Sequence, residues 1–193
     1  MPRRIDLDER REHLAQAVWT IIRERGIGAV SVRVVAAEAG VAVGSLRHVF
    51  PTRTELLQFS AELMLSRATD RIRSTPLSGD PESDALALLS HVLPLEPDSR
   101  AELEVNLALI AEAPAVPELV PIRDQTYQQL TAMCEGIVEM LAPERDAMTR
   151  TDEARRLYAL VDGLALHLLM ETPPADDGWA VRMLQGEIAR IRA

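Results

Sequence analysis

Three arginines, Arg33, Arg47 and Arg53, and one histidine, His48, fall in one short stretch near the start of the chain, among Ser31, Val43, Gly44, Ser45 and Thr52. A guanidinium fork binds a phosphate, or the N7 and O6 edge of guanine, through two parallel hydrogen bonds. Short hydroxyl residues and glycine let a helix start come close to a duplex or cap the helix they precede. The chemistry open to this set is recognition of a nucleic acid. Catalytic patterns are missing: no glutamate is followed three residues later by histidine, as a di-iron helical site requires, and there is no HExxH, glycine-rich phosphate loop or GxSxG. The sequence therefore predicts a protein that is not an enzyme and carries neither cofactor nor metal.

The elements that must hold these residues are helices. Ser31 is a natural N-cap for a short helix that ends at Gly40, where positive φ costs nothing. A second short helix is predicted over 43–49. Phe50-Pro51 breaks the chain, and Thr52-x-x-Glu55 is a capping box that starts a long helix over 53–73. Two helices of about eight residues joined at a glycine have the length of a helix-turn-helix unit, whose second helix enters the major groove. Val35, Leu46 and Val49 are expected to point inward and small Ala36 to sit at the crossing, with Arg33, Arg47, His48 and Arg53 facing out. Before this unit, Leu14, Ala17, Val18, Ile21 and Ile22 mark the buried face of a first helix, with Asp6 as a candidate cap and Gly26 as its stop. Beyond the STPLSGDP loop, helices are expected near 82–93, 98–113, 118–141, 151–171 and 177–191, each break carrying a proline.

Composition agrees. The chain has 193 residues, 47% hydrophobic and 26% charged, enough for one generous domain or two small ones. Its net charge is −9, but residues 1–73 carry +3 and the remainder −12. A basic end on an acidic body confines attraction for DNA to that end. All basic residues are arginine, so every cationic contact is a guanidinium. A single cysteine, Cys134, excludes an intrachain disulfide and a multi-thiolate zinc site and fits a reducing cytoplasm. No apolar run is long enough for a membrane span and no signal peptide is read at the N-terminus.

The segment SVRVVAAEAGVAVGSLRHVFPTRTELL, residues 31–57, resembles the DNA-binding signature of the TetR family of bacterial repressors. The resemblance implies an all-α fold of about nine helices. A three-helix DNA-binding domain would span 1–52 and an effector-binding and dimerisation domain 53–193, linked by the helix over 53–73. It also implies a homodimer on a palindromic operator, released by a small molecule. On this reading Arg33 and Arg53 anchor phosphates, Arg47 meets a phosphate or a base, His48 meets a phosphate, and Arg3 and Arg4 reach a groove or form a tail. Two positions depart from the family pattern. Ala42 stands where Ser or Thr is usual, losing a side-chain cap worth roughly 1 kcal/mol, and Arg47 stands where Tyr is usual.

The run from Leu157 to His167 resembles the penultimate helix of the BetI-type branch of the family, in which the last two helices of each subunit pair across the dimer. Leu157, Leu160, Val161, Gly163, Leu164, His167 and Leu168, with Met170, are the interface candidates, since a helix apolar nearly all round needs cover on several sides. His91, Asn106, Tyr127, Met133 and Cys134 are candidates for an effector pocket, which would suit an uncharged or cationic organic molecule better than a phosphate. The different-class alternative is an adaptor of the same fold that does not bind DNA.

Overall fold

The computed structural model describes residues 7–171 and 178–193. Asp6, Arg3, Arg4 and the break over 172–177 lie outside the described residues. The described residues form nine α-helices and no strand: α1 (Leu7–Arg25), α2 (Val32–Glu38), α3 (Val43–Val49), α4 (Arg53–Arg73), α5 (Pro81–Ser90), α6 (Pro97–Glu112), α7 (Val120–Leu141), α8 (Ala147–Met170) and α9 (Gly178–Arg192). Short 3-10 turns at Ile27–Ala29 and Pro117–Leu119 precede α2 and α7.

The capping chemistry explains most boundaries. Gly26 closes α1 at φ 78°, and Gly40 holds the α2–α3 turn at φ 63°. Ser31 Oγ accepts from Val34 N at 3.3 Å to start α2, and Thr52 Oγ1 accepts from Glu55 N at 3.1 Å to start α4. α8 starts four residues earlier than its periodicity suggests. Asp146 caps it by accepting from Thr149 N at 3.0 Å and from the Thr149 hydroxyl at 2.6 Å. Those bonds hold the Asp146 carboxyl below the usual carboxylate range. α5 ends three residues before the expected Leu93, where His91, Val92 and Leu93 turn on successive 3-10-type bonds.

The chain forms two compact units. The first holds the N-terminal residues up to Arg67 together with Glu102–Asp124; the second holds Ala68–Ala101 and Gln125–Ala193. This division differs from a boundary at 52/53, and the reason is burial. Leu56, Leu57, Ala61 and Met64 of α4, Val105 and Leu109 of α6 and Ala113 just after it share a core with Leu14, Val18 and Ile21 of α1, Val35 and Ala36 of α2, and Leu46 of α3. The buried residues of α6 are thus Val105 and Leu109, continued by Ala113 in the turn after it, while Leu103, Asn106 and Ile110 are half-buried and Leu107 is exposed. In the second unit Leu89, Ile137, Val138, Leu157, Val161, Leu164, Leu184 and Ile188 are buried.

The α8–α9 pairing carries a dense ion network. Arg190 donates from Nε to Glu187 at 3.0 Å and from Nη1 to Glu153 at 3.0 Å, with a further close contact from Nη2 to Glu153. Arg156 Nε reaches Glu187 at 3.0 Å, and Arg145 reaches Glu153 at 3.3 Å. Hydrogen bonds from Arg190 hold both carboxyls below their usual range. Arg100 of the same unit donates to the carbonyls of Leu168, Leu169 and Glu171 at 2.9, 2.6 and 3.2 Å, satisfying the orphan C-terminal carbonyls of α8.

Candidate DNA-binding face

α2 and α3 pack as the local sequence dictates. Val35, Ala36 and Leu46 are fully buried and Val49 is half-buried, which fixes the angle between the two helices. Val41 N bonds to Ala36 O at 2.9 Å across the Gly40 turn. α3 starts at Ala42 with extended φ and ψ and no side-chain cap bond, so the departure from the family pattern leaves its first N–H groups without a capping side chain.

Arg33, Arg47 and His48 are exposed, as are Val43, Gly44 and Thr52. None of the Arg33, Arg47 and His48 side chains has a hydrogen bond or ion pair among the described residues, so their donors are free for a ligand. Arg47 and His48 also sit in the last turn of α3, where positive charge complements the helix dipole. Ser45 is half-buried, and its hydroxyl accepts a close hydrogen bond from Arg10 of α1.

Arg53 is the correction on this face. It does not point outward. Its Nε donates to Val30 O at 2.9 Å, and its Nη2 donates to Ile27 O at 3.1 Å and to Glu112 Oε1 at 2.9 Å. One guanidinium thus fastens the start of α4 to the turn before α2 and to the end of α6. The fork geometry makes this possible, and the two carbonyls and the carboxylate lie far away in sequence, where no local pattern shows them.

Sequence reasoning also passed over the α1 side chains that support the unit. His13 Nε2 lies 3.0 Å from Ala39 O, and Arg25 pairs with Glu38 at 2.8 Å, both tying α1 to α2. Arg11 stacks over the rings of Phe50 and Phe59 at 5.6 and 5.1 Å. The available signal was the polar face of α1, where Arg10, Arg11 and His13 fall within one turn beside the apolar stripe.

The effector candidates do not form one group. Asn106 belongs to the first unit, whereas His91, Tyr127, Met133 and Cys134 belong to the second. His91 is half-buried with Thr75 Oγ1 at 2.8 Å from its Nε2; burial, then Arg71, lowers its pKa. Tyr127 is exposed and packs on Tyr158 with ring centroids 5.3 Å apart. Tyr158 was not a candidate. Burial, then the Asp162 carboxylate, pushes its hydroxyl up to about 12. Burial, then Asp162 and Glu135, also pushes the Cys134 thiol up to about 12, which leaves it a protonated, apolar group. Asp162 is exposed on α8, desolvation by its neighbours raises its pKa, and it has no hydrogen-bond or ion-pair partner among the described residues. Met133 is half-buried.

The interface candidates split between two faces of α8. Leu157, Val161, Leu164 and Leu168 are at most 4% exposed and pack inside their own subunit. They therefore offer no surface to a partner, and the expectation for these four is corrected. Leu160 and Gly163 are half-buried and His167 is exposed. A Cβ on Gly163 would meet nothing within 4 Å, so no helix of the same subunit requires the glycine. The opposite stripe, Ala159, Gly163, Leu166 and Met170, runs toward solvent, with Leu166 43% and Met170 70% exposed. On α9, Met183 is 50% exposed.

Among the described residues no group of three or more His, Cys, Asp or Glu is placed to hold a metal ion. No helix there is long and apolar enough to cross a membrane. Residues 16–58 match the family model described as bacterial regulatory proteins of the tetR family, and residues 81–193 match the C-terminal model of BetI-type transcriptional repressors. The chain is 35% identical over 176 residues to the HTH-type transcriptional regulator PksA of Bacillus subtilis (strain 168), covering 89% of this chain and 84% of that protein. It is 24% identical over 178 residues to the HTH-type nicotine-responsive transcriptional repressor HdnoR of Paenarthrobacter nicotinovorans, covering 90% and 89%. A crystal structure of a transcriptional regulator from Rhodococcus sp. Rha1 superposes with a TM-score of 0.82 at 28% identity, over 94% of this chain and 95% of the other. The helix-turn-helix with its free cations, the helical body and these likenesses agree: the chain belongs to the TetR family of bacterial DNA-binding transcriptional regulators.

Proposed function

We propose that the protein is a homodimeric repressor that binds a palindromic operator in the cytoplasm and is released by a small organic effector. The observation that carries the operator reading is the free state of Arg33, Arg47 and His48, exposed on a helix-turn-helix whose other arginine, Arg53, is spent inside the protein. Two recognition helices would enter successive major grooves roughly 34–36 Å apart. Arg33 and His48 serve as phosphate contacts, Arg47 meets a phosphate or a guanine, and Val43, Gly44 and Ser45 approach the bases. In functional terms residues 1–52 read DNA and residues 53–193 sense and dimerise.

The dimer would form on the solvent-facing stripe of α8, Ala159–Gly163–Leu166–Met170, with Met183 of α9. For the effector, the exposed, unpartnered Asp162 beside the Tyr127–Tyr158 pair favours an organic cation, because tyrosine faces and a free carboxylate both attract positive charge. HdnoR, a nicotine-responsive relative, lends this reading its chemical class.

The test is enrichment of random duplex DNA on the purified protein at two salt concentrations. A palindrome whose affinity falls steeply with salt is the expected result. Failure to enrich any sequence at low salt would leave the adaptor reading in its place.

A further inference from the structure

We propose that Glu112 is an internal competitor of DNA for Arg53, so that the end of α6 sets how much positive charge the DNA-binding unit offers to phosphates. This rests on the operator-binding reading above and adds a device to it.

Arg53 is the first residue of α4, directly after exposed Pro51 and Thr52. Its bonds to the Val30 and Ile27 carbonyls are neutral partners and leave its charge intact. Glu112 is different. At 2.9 Å, with the two side chains only 32% and 22% exposed, the pair is partly withdrawn from water. Beyond a Debye length of about 8 Å such a pair is close to neutral, so the paired guanidinium contributes little to counterion release on DNA. Without the carboxylate charge, the same guanidinium would keep its two carbonyls and present a whole positive charge beside Thr52.

The partner is well placed to vary. Glu112 is the last residue of α6, and α6 is one continuous helix of 16 residues from Pro97. Residues 97–101 of that helix belong to the second compact unit and residues 102–112 to the first. A rotation or slide of α6 would carry the Glu112 carboxylate with it, while Arg53 stays fastened to the turn before α2. A second ion pair of this helix, Arg23–Glu104 at 3.0 Å, is more exposed, at 47% and 35%, and serves as the control. Removing Glu104 changes the net charge by the same amount without touching Arg53.

The experiment measures affinity for the enriched duplex by fluorescence anisotropy between 50 and 200 mM salt. The full-length chains compared are wild type, Glu112→Gln, Glu104→Gln and the Glu112→Gln/Arg53→Gln double variant. One added phosphate contact per subunit steepens the log–log salt slope by about 0.9, or about 1.8 for a dimer, which is roughly a 12-fold larger loss of affinity over that fourfold salt range. Glu112→Gln is expected to bind more tightly at 50 mM with this steeper slope, Glu104→Gln to change the slope far less, and the double variant to lose the gain. An unchanged slope in Glu112→Gln, an equal effect in Glu104→Gln, or a gain that survives loss of Arg53 would each overturn the proposal. If Glu112→Gln does not fold, Glu112→Asp draws the carboxylate back by one methylene. It is then expected to steepen the slope by a smaller amount, and no change overturns the proposal. A wild-type chain that binds no duplex refutes instead the operator reading on which the proposal rests.

Discussion

Replacing Arg47 by alanine separates a DNA-facing arginine from a structural one. The side chain is exposed in the last turn of α3 and has no polar partner among the described residues, so truncation breaks no contact. Alanine gains a few tenths of a kcal/mol in helix propensity, and loss of a positive charge at the helix C-terminus costs about 0.3–1 kcal/mol. The two nearly cancel. The fully buried Leu46 next to it keeps α3 docked. Stability should therefore change by no more than about 0.5 kcal/mol, or one to two degrees in melting temperature for a chain of this size. DNA binding should change much more. If Arg47 meets a phosphate, the salt slope of operator binding falls by about 0.9 per subunit with affinity lowered across all sequences. If it reads a guanine, discrimination at one position of each half-site drops by about 1–3 kcal/mol, and a random pool enriched on the variant shows that position relaxed. Calorimetry, anisotropy titrations over salt and repeat enrichment together distinguish these outcomes. A large fall in melting temperature, or operator affinity equal to wild type at every salt concentration, would refute the assignment.

Three further outcomes follow from the second unit. Arg190→Met removes a guanidinium that is 36% exposed and leaves Arg145 on Glu153 and Arg156 on Glu187, so it should cost about 1–2 kcal/mol at neutral pH in urea unfolding. Because both carboxyls are depressed in the folded state, the network's contribution is complete above about pH 4.3 and fades as pH falls below it, so the variant and wild type should converge in acid. Asp162→Asn should raise the melting temperature at pH 7 only slightly, because the folded pKa is raised but the carboxyl is exposed and screened by water. The difference should vanish below about pH 4, where the wild-type residue is protonated in both states. The same variant should weaken the melting-temperature rise produced by a quaternary ammonium probe but not one produced by its neutral isostere. Leu166→Arg places a charge on the exposed stripe of α8 and should shift the chain to monomer in analytical ultracentrifugation with its helicity intact; an unchanged dimer would move the interface elsewhere.

What the sequence made legible was whatever a single helical turn decides. Ser31 and Thr52 start α2 and α4 through contacts three residues away and Gly40 turns the chain between α2 and α3, so those bounds lie where these residues put them. Asp146 acts over the same range, but its cap was hidden inside a proline-marked loop, and α8 gained a turn there. Which face of a helix is covered is another matter. Leu157–Val161–Leu164–Leu168 and Ala159–Gly163–Leu166–Met170 have the same period and much the same apolarity, so periodicity shows two stripes without saying which one the subunit buries. Residue size does not decide it either, since the buried face also includes Ala154 and Ala165.

The arginines mark the same limit in electrostatic terms. Arg33, Arg47 and Arg53 are alike in type and close in sequence, yet only Arg53 is spent, on a carboxylate 59 residues away. A guanidinium is available to DNA when no distant helix end brings it an acid, so availability is decided by tertiary packing and can be altered by it. In a chain with more acids than bases, each free arginine on the helix-turn-helix is one that the acidic helices do not reach. On the proposal above, moving α6 would alter DNA affinity by changing whether Glu112 or a phosphate holds the charge of Arg53.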